Sequence, residues 1–198
     1  MNSTTTLVNP VPATPYYFST NSMKNATIFT RESHPLYTVS TDLKADKHTK
    51  ISDARTGQLI AAIDRKDILS DTITFPNRSG GASVSVHKWL QKSKLADGYP
   101  VHLMETSFGR YVWKSDAKYR VGLYTEDNPV KPLAYLQLAS ATQNFALVLE
   151  SAAEPFRDDV IIGFLILEQR LRVADRNISV GGGKFEQKRT VLGHYVQT

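Results

Sequence analysis

The stretch Arg157–Arg172, RDDVIIGFLILEQRLR, constrains the fold more than any other. Its uninterrupted apolar run is the eight residues Val160–Leu167. A helix that crosses a bilayer needs about 20 apolar residues, and charged groups close this run at both ends. An ordinary transmembrane helix is therefore excluded. Periodicity alone does not separate strand from helix over so short a run. The β-branched Val160, Ile161, Ile162 and Ile166 favour a strand, whereas the flanks favour a helix. Asp158 and Asp159 suit an N-cap and first turn, Arg170 and Arg172 suit the last turn, and Glu168–Arg172 is an i,i+4 acid–base pair. We read a helix from about Asp158 to Arg172. Its first turns are apolar on every side, which demands burial all round. Such a helix needs a container.

The upstream sequence supplies the walls. Short segments rich in Val, Ile, Thr, Tyr and Phe recur about every ten residues between turn signals, the pattern of a sandwich or barrel. ATIFTRE and LYTVST flank Ser33-His34-Pro35, and KISDA and QLIAAIDR flank Arg55-Thr56-Gly57. DTITF, SVSVHKWL, PVHLMET, RYVWK, YRVGLYT, LAYLQLAS and FALVLES follow. SVSVHKWL reads as a strand that ends in a helical turn. The expected organisation has three parts. Residues 1–22, rich in Ser, Thr, Asn and Pro, form a flexible N-terminal arm. Residues 23–176 form the mostly-β domain, and residues 177–198 a glycine hinge and basic tail.

Gly109, Arg110, Tyr111, Trp113 and Lys114, in METSFGRYVWKSD, together with Asp158–Arg172, carry a resemblance to a basidiomycete fungal family of unknown function. That family is related to the tubby C-terminal, LURP-one-related and phospholipid scramblase domains. The resemblance covers roughly Ala26–Ala174. It implies a closed antiparallel β-barrel of about 10–12 strands around a buried C-terminal apolar helix. By fold-level analogy with tubby domains it also implies phosphoinositide binding.

Chemistry is sparse. The chain has no cysteine, so it has neither disulfides nor thiolate catalysis. The five histidines are scattered, with no His-x-His and no His-Glu-x-x-His. SVGGGKFEQ fails the phosphate-loop pattern because Phe185 stands where Ser or Thr is required. No Gly-x-Ser-x-Gly elbow occurs. Asp158-Asp159 reads as a cap, and Glu126-Asp127-Asn128-Pro129 as a turn. The expectation is a non-enzymatic protein without a cofactor or metal.

The formal net charge is +5 and the pI about 9.3, which admits anionic partners without selecting one. Two basic–aromatic stretches stand out, VHKWLQKSK and RYVWKSDAKYR. They make Lys88, Lys92, Lys94, Lys114, Lys118 and Arg120 the candidate lipid-binding residues, each worth about 1 kcal/mol near an anionic surface. The plainer alternative is that Trp89, Tyr111 and Trp113 pack in the core beneath a solvated lysine face.

Three readings stand. The first is a cytoplasmic module, peripheral at membranes, that docks on anionic phospholipid or phosphoinositide. The second is a protein–protein or scaffold module that acts through its terminal arms. The third, a nucleic-acid binder, lacks any recognised motif and predicts only weak, salt-labile binding. The N-terminal MNSTTTLVNPVPATP lacks a basic start and an apolar run, so no secretory signal is expected there.

Overall fold

The computed structural model describes residues 12–180 except 31–33, 43–45, 67, 116–117 and 141–144. Alternation of apolar and polar residues produces strands wherever it persists: PLYTVST and HTKISD each bury every second side chain. In order these are β1 (Thr14–Phe18), β2 (Ala26–Phe29), β3 (Pro35–Thr41), β4 (His48–Asp53), β5 (Leu59–Asp64), β6 (Thr72–Thr74) and β7 (Ser83–Ser85). A single helical turn, α1 (Val86–Trp89), leads into β8 (Leu90–Lys94). Then follow β9 (Pro100–Thr106), β10 (Gly109–Lys114), β11 (Gly122–Thr125), β12 (Ala134–Gln137) and β13 (Ala146–Leu149). A 3₁₀ segment, Ser151–Phe156, runs into α2 (Arg157–Val180).

All thirteen strands form one antiparallel sheet in the order β7-β6-β5-β4-β3-β2-β1-β13-β12-β11-β10-β9-β8. The expected closed barrel is not formed, because no ladder joins the edge strands β7 and β8. The reason is topological. Twelve antiparallel steps separate the two edges, so β7 and β8 run in the same direction and their only possible ladder is parallel. A parallel pair needs a crossover of about a dozen residues or more, and only the four residues of α1 connect these two. β7 pairs β6, α1 shifts the chain sideways, and β8 pairs β9. The sheet therefore stays open along a seam beside α1.

The helix expected from the apolar run is present and longer than expected, 24 residues from Arg157 to Val180. Every residue from Asp159 to Gln169 is buried, and burying each large apolar side chain contributes about 2 kcal/mol. The open sheet curls around this helix. Phe164 meets Phe18 of β1 and Phe145 before β13, with ring centroids 5.7 and 6.5 Å apart. On the opposite side, an added Cβ on Gly163 would lie 3.0 Å from Trp113 Nε1 of β10 and 3.3 Å from Met104 Sδ of β9. A side chain there would press on this wall, and even a methyl group fits only if the Trp113 and Met104 side chains give way by a few tenths of an ångström.

One further expectation is corrected. Within residues 1–22, expected to form a flexible arm, Thr14–Phe18 lies inside the sheet between β2 and β13. Tyr16 and Phe18 are buried on its helix-facing side. The remainder of that arm, residues 1–11, and the tail from residue 181 lie outside the described residues.

Candidate functional site

Because every strand connection except β7–α1–β8 turns back, alternate loops gather at the two ends of α2. At its C-terminal end lie the loops β1–β2, β3–β4, β5–β6, β8–β9, β10–β11 and β12–β13. At its N-terminal end lie the loops β6–β7 and β9–β10 and the 3₁₀ segment.

The C-terminal end is rich in basic residues, and most of its carboxylates have a basic partner; Asp97, exposed in the β8–β9 loop, accepts only from Tyr99 N among the described residues. Asp46 pairs with Lys24, Asp64 with His48, Asp71 with Arg170 and Asp175 with Arg120. Glu168, buried on α2, accepts from Arg120 Nε at 3.0 Å and from Arg172 Nε at 2.7 Å. The side chains of Lys66, Lys92 and Lys94 are exposed and have no ion-pair partner among the described residues. At the same end the β5–β6 loop holds out Ile68 and Leu69, 96 % and 69 % exposed. That loop is closed on itself by Lys66 N donating to Asp71 Oδ1 at 3.3 Å and tied to α1 by Val86 N donating to Asp71 O at 2.8 Å.

The six basic residues singled out in the sequence divide. Lys92 and Lys94 share one side of β8, opposite His102 and Pro100 of β9. Lys118, exposed in the β10–β11 loop, lies toward the same end, 5.0 Å from the Tyr119 ring. Lys88, exposed on α1, sits lower, beside the seam. Lys114 is spent on the outer face. Its ammonium donates to Pro129 O at 2.6 Å and stands 4.3 Å over the Tyr124 ring, fastening the long β11–β12 loop across the sheet. Arg120 is spent on Glu168 and Asp175, where that pairing raises its pKa against the cost of burial. The aromatics of these stretches are mostly packing groups: Trp113 is fully buried and Tyr111 stacks on Phe156 with centroids 4.3 Å apart.

His102 was missed as a member of this region. It is 4 % exposed, lies between Lys92 and Trp113 in register, and its Nδ1 has no hydrogen-bond partner among the described residues. Burial, followed by the positive fields of Arg170, Lys92 and His87, depresses its pKa to about 4. No spacing motif marks it.

The N-terminal end of α2 carries a cavity of about 660 Å³ that opens along the seam. Trp89 of α1 and the β9–β10 hairpin face each other across it, and the start of α2 forms its floor. Arg78 pairs with the buried carboxylate of Asp159. Burial raises the Asp159 pKa, and the Arg78 partner pulls it back down. Tyr37 donates to Asp158 at 2.5 Å and Tyr16 to Glu154 at 2.7 Å. Burial and those carboxylates push both phenols above their ordinary range. Asp158 and Asp159, expected as helix caps, thus also hold β3 and the β6–β7 loop to the helix. Among the described residues, no group of three His, Asp or Glu side chains could hold a metal ion.

No helix of the described residues is long and apolar enough to cross a membrane. No curated protein and no solved structure matches the chain. The chain belongs to the family of unknown function DUF6593, whose model matches residues 21–173.

Proposed function

We propose that the protein is a non-catalytic binding module. It docks on anionic lipid headgroups, phosphatidylserine or phosphoinositide, with the end of the sheet from which α2 emerges. The observation that carries the reading is the charge pairing at that end. Asp46, Asp71 and Asp175 are each held by a lysine or arginine, whereas Lys66, Lys92 and Lys94 are left to solvent, with exposed Asp97 of the β8–β9 loop the acid nearest to them in sequence. Lys118 extends this surface. Exposed Ile68 and Leu69 supply apolar groups of the kind that enter the headgroup–acyl boundary when basic residues hold a protein there. The expected attachment is peripheral, to the anionic cytoplasmic leaflet.

Vesicle flotation of the triple variant Lys92→Glu, Lys94→Glu, Lys118→Glu tests this reading. At about 1 kcal/mol per lysine, apparent affinity for anionic vesicles falls roughly 100-fold or more, with the melting temperature unchanged. Undiminished binding by the triple variant overturns the assignment of this surface.

A further inference from the structure

β8 borders the seam as an edge strand, and the register of its single ladder shows which backbone groups it leaves open. Leu95 N donates to Tyr99 O at 2.8 Å, so these residues form a hydrogen-bonded pair. The next pair, Lys94–Pro100, is not hydrogen-bonded, since proline has no N–H. Alternation along an antiparallel ladder then makes Ser93–Val101 and Gln91–Leu103 hydrogen-bonded pairs and leaves Lys92–His102 without such bonds. The backbone N–H and C=O of Lys92 and Lys94 therefore point away from β9, toward the edge that no strand covers. Leu90, next in this series, already donates its N–H to Val86 O at the end of α1.

The side chains of Lys92 and Lys94 lie on one side of β8, exposed and without an ion-pair partner among the described residues. A strand added to this edge sets one residue opposite Lys92 and another opposite Lys94, with all four side chains on that side. A second copy of β8 would bring lysine against lysine, so the edge rejects its own kind. Asp or Glu at both positions is attracted instead. β7 and β8 run in the same direction, so an antiparallel newcomer continues the alternation of the sheet.

We propose that β8 receives an extended acidic segment of a protein partner as an added antiparallel strand, with carboxylates at alternate positions facing Lys92 and Lys94. The proposal does not rest on lipid docking, although both use these two lysines. A bound strand and a membrane surface compete for them.

Amide spectra of the ¹⁵N-labelled full chain, titrated with the peptide acetyl-TVEVEVT-amide, test the proposal. Saturable shifts are expected at the N–H groups of Lys92 and Lys94, which exchange rapidly with solvent in the free chain and become protected on binding. Methylating the two glutamate nitrogens, which the pairing aims at β8, weakens binding about tenfold or more. Methylating the central valine nitrogen, which points away from β8, leaves binding within about twofold. The TVKVKVT counterpart binds at least about tenfold more weakly, and Lys92→Glu with Lys94→Glu reverses that preference. Absence of saturable binding overturns the proposal. Equal binding of the glutamate-methylated peptide also overturns it, because charge attraction alone then accounts for the contact. No vesicle takes part, so failure here leaves the lipid assignment standing, and failure of vesicle flotation leaves this one standing.

Discussion

Arg120 and Glu168, 48 residues apart in sequence, meet inside the curled sheet, where the guanidinium Nε lies 3.2 and 3.0 Å from the two carboxylate oxygens. The Glu168 side chain is 2 % exposed, so its charge depends on this partner and on Arg172. Arg120 also reaches Asp175 at 2.6 Å and fixes the β10–β11 loop to α2.

Arg120→Ala therefore acts on stability. Removing one partner of a buried pair typically costs about 3–5 kcal/mol, and Arg172 retains part of the compensation, so a loss of about 2 kcal/mol is expected. Adding Glu168→Gln to Arg120→Ala recovers part of it. Urea denaturation of the two single variants and the double variant closes the cycle. Equal losses in the presence and absence of Glu168 contradict the pairing.

Gly163 seats α2 against Trp113 and Met104. Its replacement by Val overfills a space whose wall is a fully buried indole, at a cost of about 1–3 kcal/mol. A stable Gly163→Val variant by thermal melting contradicts the close contact.

His102 gives a pH signature. Its folded pKa of about 4 lies below the ordinary value of 6.5, so the unfolded chain binds its proton first on acidification. Stability from this site is complete above pH 6.5 and is lost as pH falls toward 4, by up to about 3 kcal/mol. In His102→Gln that part of the slope disappears. Parallel stability curves for wild type and variant between pH 7 and 4 contradict the burial of a neutral imidazole.

Arg78→Leu strands the Asp159 carboxylate, which is 5 % exposed, and lowers stability by about 2 kcal/mol. Asp159→Asn removes the charge together with the need for it and costs less. Guanidinium denaturation ranks the pair, and the reverse order contradicts the dependence of Asp159 on Arg78.

The helix was legible because eight contiguous apolar residues with opposite charges at the two ends admit few other solutions. The strands of the meander were legible from alternation. β1 was not, because TPYYF follows a polar, proline-rich lead and its burial comes from pairing with β13, far away in sequence. β8 is not legible because in LQKSK the side that begins with buried Leu90 continues with the exposed lysines Lys92 and Lys94, so no apolar alternation persists. The seam follows from strand parity, which emerges only when every strand is counted. Among the basic residues, sequence marked Lys92 and Lys94 as readily as Lys114 and Arg120. Only the fold shows that Pro129 and Glu168 have taken the last two.

The central claim is that the end of the sheet bearing Lys92, Lys94 and the exposed Ile68 and Leu69 meets an anionic membrane surface. Flotation of the wild-type chain with neutral vesicles, and with vesicles containing phosphatidylserine or phosphoinositide, at low and physiological salt, tests it most directly. The account predicts binding to the anionic vesicles alone, weakening as salt rises. Equal binding to neutral vesicles, or none to any vesicle at low salt, contradicts it.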